Sequence, residues 1–383
     1  MTEVTILVGT TKGAFLIEGG AARSGWRVRG PYCDGWPINH VVADRESGMI
    51  WAGGGGDWNG AGVWRSADGG ESWELTQLTR GQRDDWAASD PGFAEIIGWV
   101  DRPVPFEGFS QVWSLRAAHG RLYAGTKPAR LLVSGDGGGR FDEVTGLTDH
   151  PSHDSWEPGG AGLVLHTIVS HPEDPDRLWL AISAAGVFAT EDGGRTWERR
   201  NRLGNEGACA DHYHPAGPSD GELGHCVHNM VRAAGGGDLL YQQNHHGVWR
   251  SVDGGRSWDD ISAGLPSTFG FPIHVHPRDP QVIWTLPLNG DSVGRYPPDA
   301  KAAVWKSADG GGSWAAKRAG LPQEACFFTV LRQAMATDKA AKAGIYFGTN
   351  SGSVFASTDD GESWREIARH LPTVLGVEVM HRR

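Results

Sequence analysis

Little in this chain is basic, sulfur-bearing or continuously apolar. Its 383 residues hold four cysteines (Cys33, Cys209, Cys226 and Cys326), scattered and without Cys-x-x-Cys spacing. That argues against a disulfide framework and against a zinc ribbon. Thirty-five Lys and Arg face 46 Asp and Glu, a formal charge of −11. Such a balance disfavours nucleic acid or an anionic membrane as the main partner. No apolar run is long enough to span a bilayer. The first residues, with Glu3 and only a short apolar stretch, lack the basic start and long apolar core of a secretory leader. The expectation is a soluble cytoplasmic protein. No Gly-x-Ser-x-Gly elbow is present, so nucleophilic serine chemistry has little support.

Glycine (57) and tryptophan (18) are abundant, as suits many short strands joined by tight turns. The placement of these residues is periodic. Six segments follow the pattern Ser/Thr-x-Asp-Gly-Gly-x-x-Trp or a near variant: Ser66–Trp73, Ser134–Phe141, Thr190–Trp197, Ser251–Trp258, Ser307–Trp314 and Ser357–Trp364. A repeated signature of this kind indicates a repeat architecture. The Asp can accept hydrogen bonds from amides of its own turn, the glycines supply positive φ, and the aromatic closes the hairpin. The pattern resembles the Asp-box, or BNR repeat, of β-propellers related to sialidases and sortilin-type domains, and covers almost the whole chain.

The resemblance implies an all-β fold, a seven-bladed propeller in one domain, 1–383. Apolar inner strands precede each motif and place the blades at about 38–77, 112–145, 165–200, 228–262, 271–316 and 328–369. A seventh joins 373–380 to 4–29, so that both termini close the ring and remove its open edge. Six blades with extra edge strands is the alternative.

The links opposite the motif turns are long: 78–111, 146–164 and 200–227. Long loops on a propeller rim are where function is expected. They are rich in acids, histidines and tryptophans, among them Trp86, Asp154, Trp156, Glu157 and Asp211. Among the 16 histidines, His40, His166 and His228 stand at the starts of inner strands, and His245 and His246 occupy a bend on the same rim. Imidazoles gathered around one axis suit a divalent transition metal (Zn, Mn, Fe or Cu). His166 and His228 are the first expected ligands, then His245, His246 and His40; no organic cofactor is expected. Cys226, beside His225 and His228, reads equally as a soft ligand or a buried thiol. The competing reading is channel histidines that bind water or substrate without metal. Register decides between them, because one slipped residue turns a ligand away from the channel.

Sialidases, which the resemblance brings to mind, use an Arg-Ile-Pro motif, an arginine triad and a Tyr/Glu pair. This chain has no Arg-Ile-Pro and only six tyrosines. Arg116, Arg232 and Arg332 fall at matching places in three blades and offer an anion site or internal ion pairs. The favoured reading is an enzyme, a hydrolase or lyase, acting on a small polar or carbohydrate-like molecule. Glu157, Asp154 and Asp211 are the acid–base candidates. Trp58, Trp86, Trp113 and Trp156, with Arg116 and Arg232, are the substrate-binding candidates. A metal-free glycoside hydrolase with two rim carboxylates, or a scaffold binding peptide on its rim, are the rivals. The oligomeric state is open.

Overall fold

The computed structural model describes residues 3–207 and 216–382. The chain is built from short antiparallel strands, each run of four meandering outward from a first strand. Among the described residues, five sheets have four strands and one has eight. The eight-stranded sheet consists of two such runs, 38–77 and 111–143, which share the single pair Gly55–Gln111. One sheet draws on both termini: Val374–Arg382 pairs with Glu3–Thr10, which continues through Gly13–Gly20 to Arg27–Tyr32. The first strands lie side by side in sequence, from Val374–Arg382 to Ile38–Ala43, Gln111–Ala118, Leu165–Ser170, Val227–Arg232, Gly270–Val275 and Met335–Thr337. The last of these lies beside Val374–Arg382 again. They enclose a central channel.

Apolar side chains fill the spaces between neighbouring sheets. Val169, Trp179 and Val187 of one sheet, for example, pack on Val227, Met230 and Trp249 of the next. Each such buried Val, Met or aromatic contributes about 1.5–3 kcal/mol. The repeated motif adds a polar key to this packing. Ser66 Oγ donates to Asp68 Oδ1 at 2.8 Å and accepts from Gly70 N at 2.9 Å, while Ser72 N donates to Asp68. The same bonds recur at Ser251/Asp253 and Ser307/Asp309. The turn then docks on the preceding sheet: Trp51 Nε1 donates to Gly137 O and Trp179 Nε1 to Gly254 O, both at 2.8 Å.

Two regions differ from expectation. The link 78–111 contains two helices, Gln82–Ser89 and Pro91–Ile96. Asp90 begins the second by accepting from Gly92 N and Phe93 N, and Pro91 needs no hydrogen-bond partner at that place. The segment 328–331, expected as an inner strand, forms none; the strand there is Met335–Thr337. Residues 331–333 instead enter the channel. Gln333 Nε2 donates to His166 O, Asn229 Nδ2 donates to Arg332 O at 2.7 Å, and Val377 N donates to Gln333 O at 2.8 Å. These bonds tie three inner strands to one crossing segment.

Two outcomes are expected from the turns. Gly194 has φ +93°, and a methyl group there would come within 2.6 Å of Val144 Cγ1. Gly194→Ala should therefore lower stability by about 1–2 kcal/mol or more, read by thermal denaturation. Gly135→Ala, in open space, should change little. Hydrogen bonds from Ser313 and Ser307 hold the Asp309 carboxyl down to about 2, and the Ser72 and Thr196 hydroxyls hold Asp68 and Asp192 well below the usual range. A depressed folded-state value stabilises the fold above the unfolded carboxylate pKa of about 4. That contribution should fade as pH falls from about 4 toward 2. The melting temperature should drop across this window, less steeply in Asp309→Asn.

Candidate functional site

Inner strands carry an irregularity at the same place. Pairing slips between Ile38 and His40, Val112 and Ser114, Leu165 and Thr167, and Val227 and Asn229. The same occurs between Gly9 and Thr10 opposite Val374–Gly376, and between Gly270 and Ile273. The extra residues are Asn39, Trp113, His166, His228, Leu375 and the pair Phe271-Pro272. A bulge leaves its extra residue out of the ladder and re-aims its side chain. Five of these residues, Asn39, Trp113, His228, Phe271 and Leu375, line one cavity of about 290 Å³ at the start of the inner strands.

Cys226, His228 and His245 meet on the wall of this cavity, all three buried. One ligand atom from each lies within 4.8 Å of the other two. Cys226 Sγ is 3.7 Å from His228 Nε2. Tetrahedral bonds of about 2.3 Å to sulfur and about 2.0 Å to nitrogen would set those atoms about 3.5 Å apart. The carbonyl of Gly270, which can only accept, lies 2.6 Å from His228 Nδ1. That nitrogen therefore carries the proton, and Nε2 presents its lone pair toward the sulfur. Burial, reinforced by Arg332, holds His228 well below the usual imidazole range, so it stays neutral. Burial also pushes the Cys226 thiol up to about 11, so a metal would have to displace its proton. The His245 ring packs on those of His228 and Phe269, with its Nδ1 3.9 Å from Asp291 Oδ2.

The other expected ligands stand elsewhere. His166 is fully buried, but its Nε2 lies 3.0 Å from Val227 O and its Nδ1 2.8 Å from Thr167 Oγ1. Nε2 is thus directed to the neighbouring strand and Nδ1 to the next residue of its own strand. His246 is buried next to His245, ring centroids 5.1 Å apart, and is outside the trio. His40 accepts from Leu115 N at 3.0 Å through Nδ1 and faces Glu378 at 3.5 Å through Nε2. It lines a second cavity, of about 460 Å³, further along the strands. Arg116 and Arg232 line that same second cavity, where Arg116 Nε donates to Ser170 Oγ at 3.1 Å. Gln333 lines both cavities.

Of the aromatic candidates, Trp113 lines the first cavity, with Lys127 Nζ 5.7 Å from its ring. Trp156 is buried on Phe188 and donates Nε1–H to Ser152 Oγ, so it is core. Trp58 and Trp86 are half exposed and touch each other, and Trp86 stacks on Phe93 of the second helix, away from the cavity lining. Asp154 and Glu157 are exposed on the rim and do not line the cavity. Asp211 lies outside the described residues. Two cavity groups were passed over as ligand-binding residues in the sequence: Asp291, paired with Arg295 at 2.5 Å, and Ser183. Neither sits in a motif, and only the fold brings them to the histidines.

No family model matches the chain. A xyloglucanase of Paenibacillus sp is 24% identical over 192 residues, 44% of this chain and 17% of that protein. The match therefore spans about a sixth of the relative's length. Among solved structures, a putative 6-phosphogluconolactonase from Bacteroides uniformis covers 99% of both chains with a TM-score of 0.56 at 12% identity. An ancestral GH74 enzyme matches 87% of this chain and 38% of its own, with a TM-score of 0.55 at 15% identity. YCF48 bound to D1 peptide matches 86% and 82%, with a TM-score of 0.51 at 12% identity. These likenesses define the fold class: the chain is a β-propeller.

The trio and His166 should be distinguishable by mutation. His228→Ala removes a group within reach of Cys226, whereas His166→Ala removes one bonded to a neighbouring backbone. Zinc affinity, measured by competition with a chromophoric chelator, should fall more than about 100-fold in the first. It should stay within a few-fold of wild type in the second.

Proposed function

We propose that this protein is a seven-bladed propeller of the Asp-box class, the eight-stranded sheet counting as two blades, and that it is a metal-dependent enzyme. Its metal is held by Cys226 Sγ, His228 Nε2 and a ring nitrogen of His245. The observation that carries this reading is the convergence of those three atoms within 4.8 Å on the wall of a cavity. One thiolate and two imidazoles suit zinc or copper better than manganese, which favours oxygen donors. Three protein ligands beside a cavity leave a coordination position for water or substrate. A metal there would supply Lewis acidity or an activated water.

The protein's own groups provide the remainder. The Gly270 carbonyl orients His228. Asp291, held by Arg295 and facing His245, is the carboxylate placed to move a proton within the cavity. Trp113 and Phe271 give apolar walls suited to a small substrate. The likeness to a xyloglucanase and to GH74 and lactonase-type structures favours a polar or carbohydrate-like molecule. The reading of Asp154 and Glu157 as a glycosidase pair is the less favoured, because both stand on the rim outside the cavity.

Elemental analysis of the purified, untagged protein tests the proposal. About one equivalent of zinc or copper is expected, retained in His166→Ala and lost in a Cys226→Ala/His228→Ala variant of unchanged circular dichroism. Absence of metal, even after incubation with zinc and copper, would remove the metal centre and return the search to metal-free glycoside hydrolysis.

A further inference from the structure

The cavity beside Cys226, His228 and His245 holds more positive charge than the surrounding protein accounts for. Two guanidinium groups, Arg295 and Arg332, line it together with one carboxylate, Asp291. Asp291 bonds Arg295 at 2.5 Å. Arg332 packs on the face of Phe271 at 5.0 Å, and its Nε is buried with no hydrogen-bond partner among the described residues. A buried guanidinium nitrogen left without an acceptor is costly, and native structures supply the acceptor from somewhere. Ser183 is 1% exposed, lines the same cavity, and its Oγ also lacks a partner among the described residues. The guanidinium can only donate and the hydroxyl can donate, and no acceptor among the described residues meets either.

We propose that this cavity binds the carboxylate of a small substrate, with Arg332 as its guanidinium clamp and Ser183 as a further donor. The inference rests on the reading of this cavity as the substrate site. A planar guanidinium fork matches the two coplanar oxygens of a carboxylate. Both the clamp and the histidine cluster pack on the ring of Phe271: Arg332 Cζ lies 5.0 Å from its centroid and the His228 ring 4.7 Å. A molecule bearing an oxygen next to its carboxylate, such as a hydroxy acid or a sugar acid, can meet the guanidinium with one end and the histidine cluster with the other. A volume of about 290 Å³ suits a ligand of that size. The excess positive charge is local, in a chain whose formal charge is −11.

The test is titration calorimetry with glycolate, gluconate, ethylene glycol and inorganic phosphate. It uses wild-type protein and the Arg332→Met and Arg332→Lys variants, with bound metal measured on each sample. Arg332→Met should bind glycolate and gluconate at least about tenfold more weakly. Arg332→Lys should recover part of that loss, ethylene glycol should not bind, and metal content should be unchanged. Unaltered carboxylate binding in Arg332→Met would overturn the inference, as would tighter binding of phosphate than of either carboxylate. Loss of metal in Arg332→Met would overturn it too, by making Arg332 the counter-charge of the Cys226 thiolate. Should the wild type hold no metal yet bind gluconate through Arg332, the metal reading fails while the carboxylate site stands.

Discussion

The side chains of a strand alternate between two faces, and a single extra residue in the ladder exchanges them. That constraint governs this molecule. Without the slip between Val227 and Asn229, His228 would be an ordinary member of its ladder. With it, His228 leaves the ladder, its Nδ1 meets the Gly270 carbonyl, and its Nε2 approaches Cys226. The same slip in other inner strands brings Asn39, Trp113 and Leu375 to one cavity. Part of the lining of that cavity is therefore a set of bulge residues from different inner strands, held in place by the regular pairing on either side.

The channel is partitioned by its own chain. Residues 331–333 leave the expected strand path and cross to His166 O, Asn229 and Val377. The crossing places Arg332 against Phe271 in the cavity with the thiol and imidazoles. Gln333 stands between that cavity and the one lined by His40, Arg116 and Glu378. Two chemically different compartments result. The first holds a buried thiol, two imidazoles and donors without a partner among the described residues. The second has an acid, Glu378, facing His40.

How much of this was legible depended on whether the signal was local. The turn motif is local: Ser, Asp and Gly bond within a few residues of one another, so Ser66–Trp73 and its copies read directly as hairpins, and the terminal strands read as partners. The propeller class followed from them. The candidate site is legible in its region and in part of its membership, since the sequence points to His228 and His245 and reads Cys226 equally as a soft ligand or a buried thiol. His166 and His228 look equivalent in sequence, each following an apolar residue at a strand start. They differ in their partners: His166 meets the Val227 carbonyl of the next strand and the Thr167 hydroxyl of its own, whereas His228 meets the Gly270 carbonyl of the next strand and the Cys226 thiol just before its own. Arg332 was aligned with Arg116 and Arg232 on the assumption of a regular inner strand at 328–331. The crossing segment breaks that equivalence through contacts with His166, Asn229 and Val377, all distant in sequence, which no local pattern encodes.

We propose that strand bulges convert the propeller channel into a thiolate–imidazole metal centre. X-ray absorption spectroscopy of the zinc-loaded protein tests it most directly. The account predicts one sulfur at about 2.3 Å and two imidazole nitrogens at about 2.0 Å. A shell of nitrogen and oxygen alone, without sulfur, would contradict it and would place any bound metal away from Cys226.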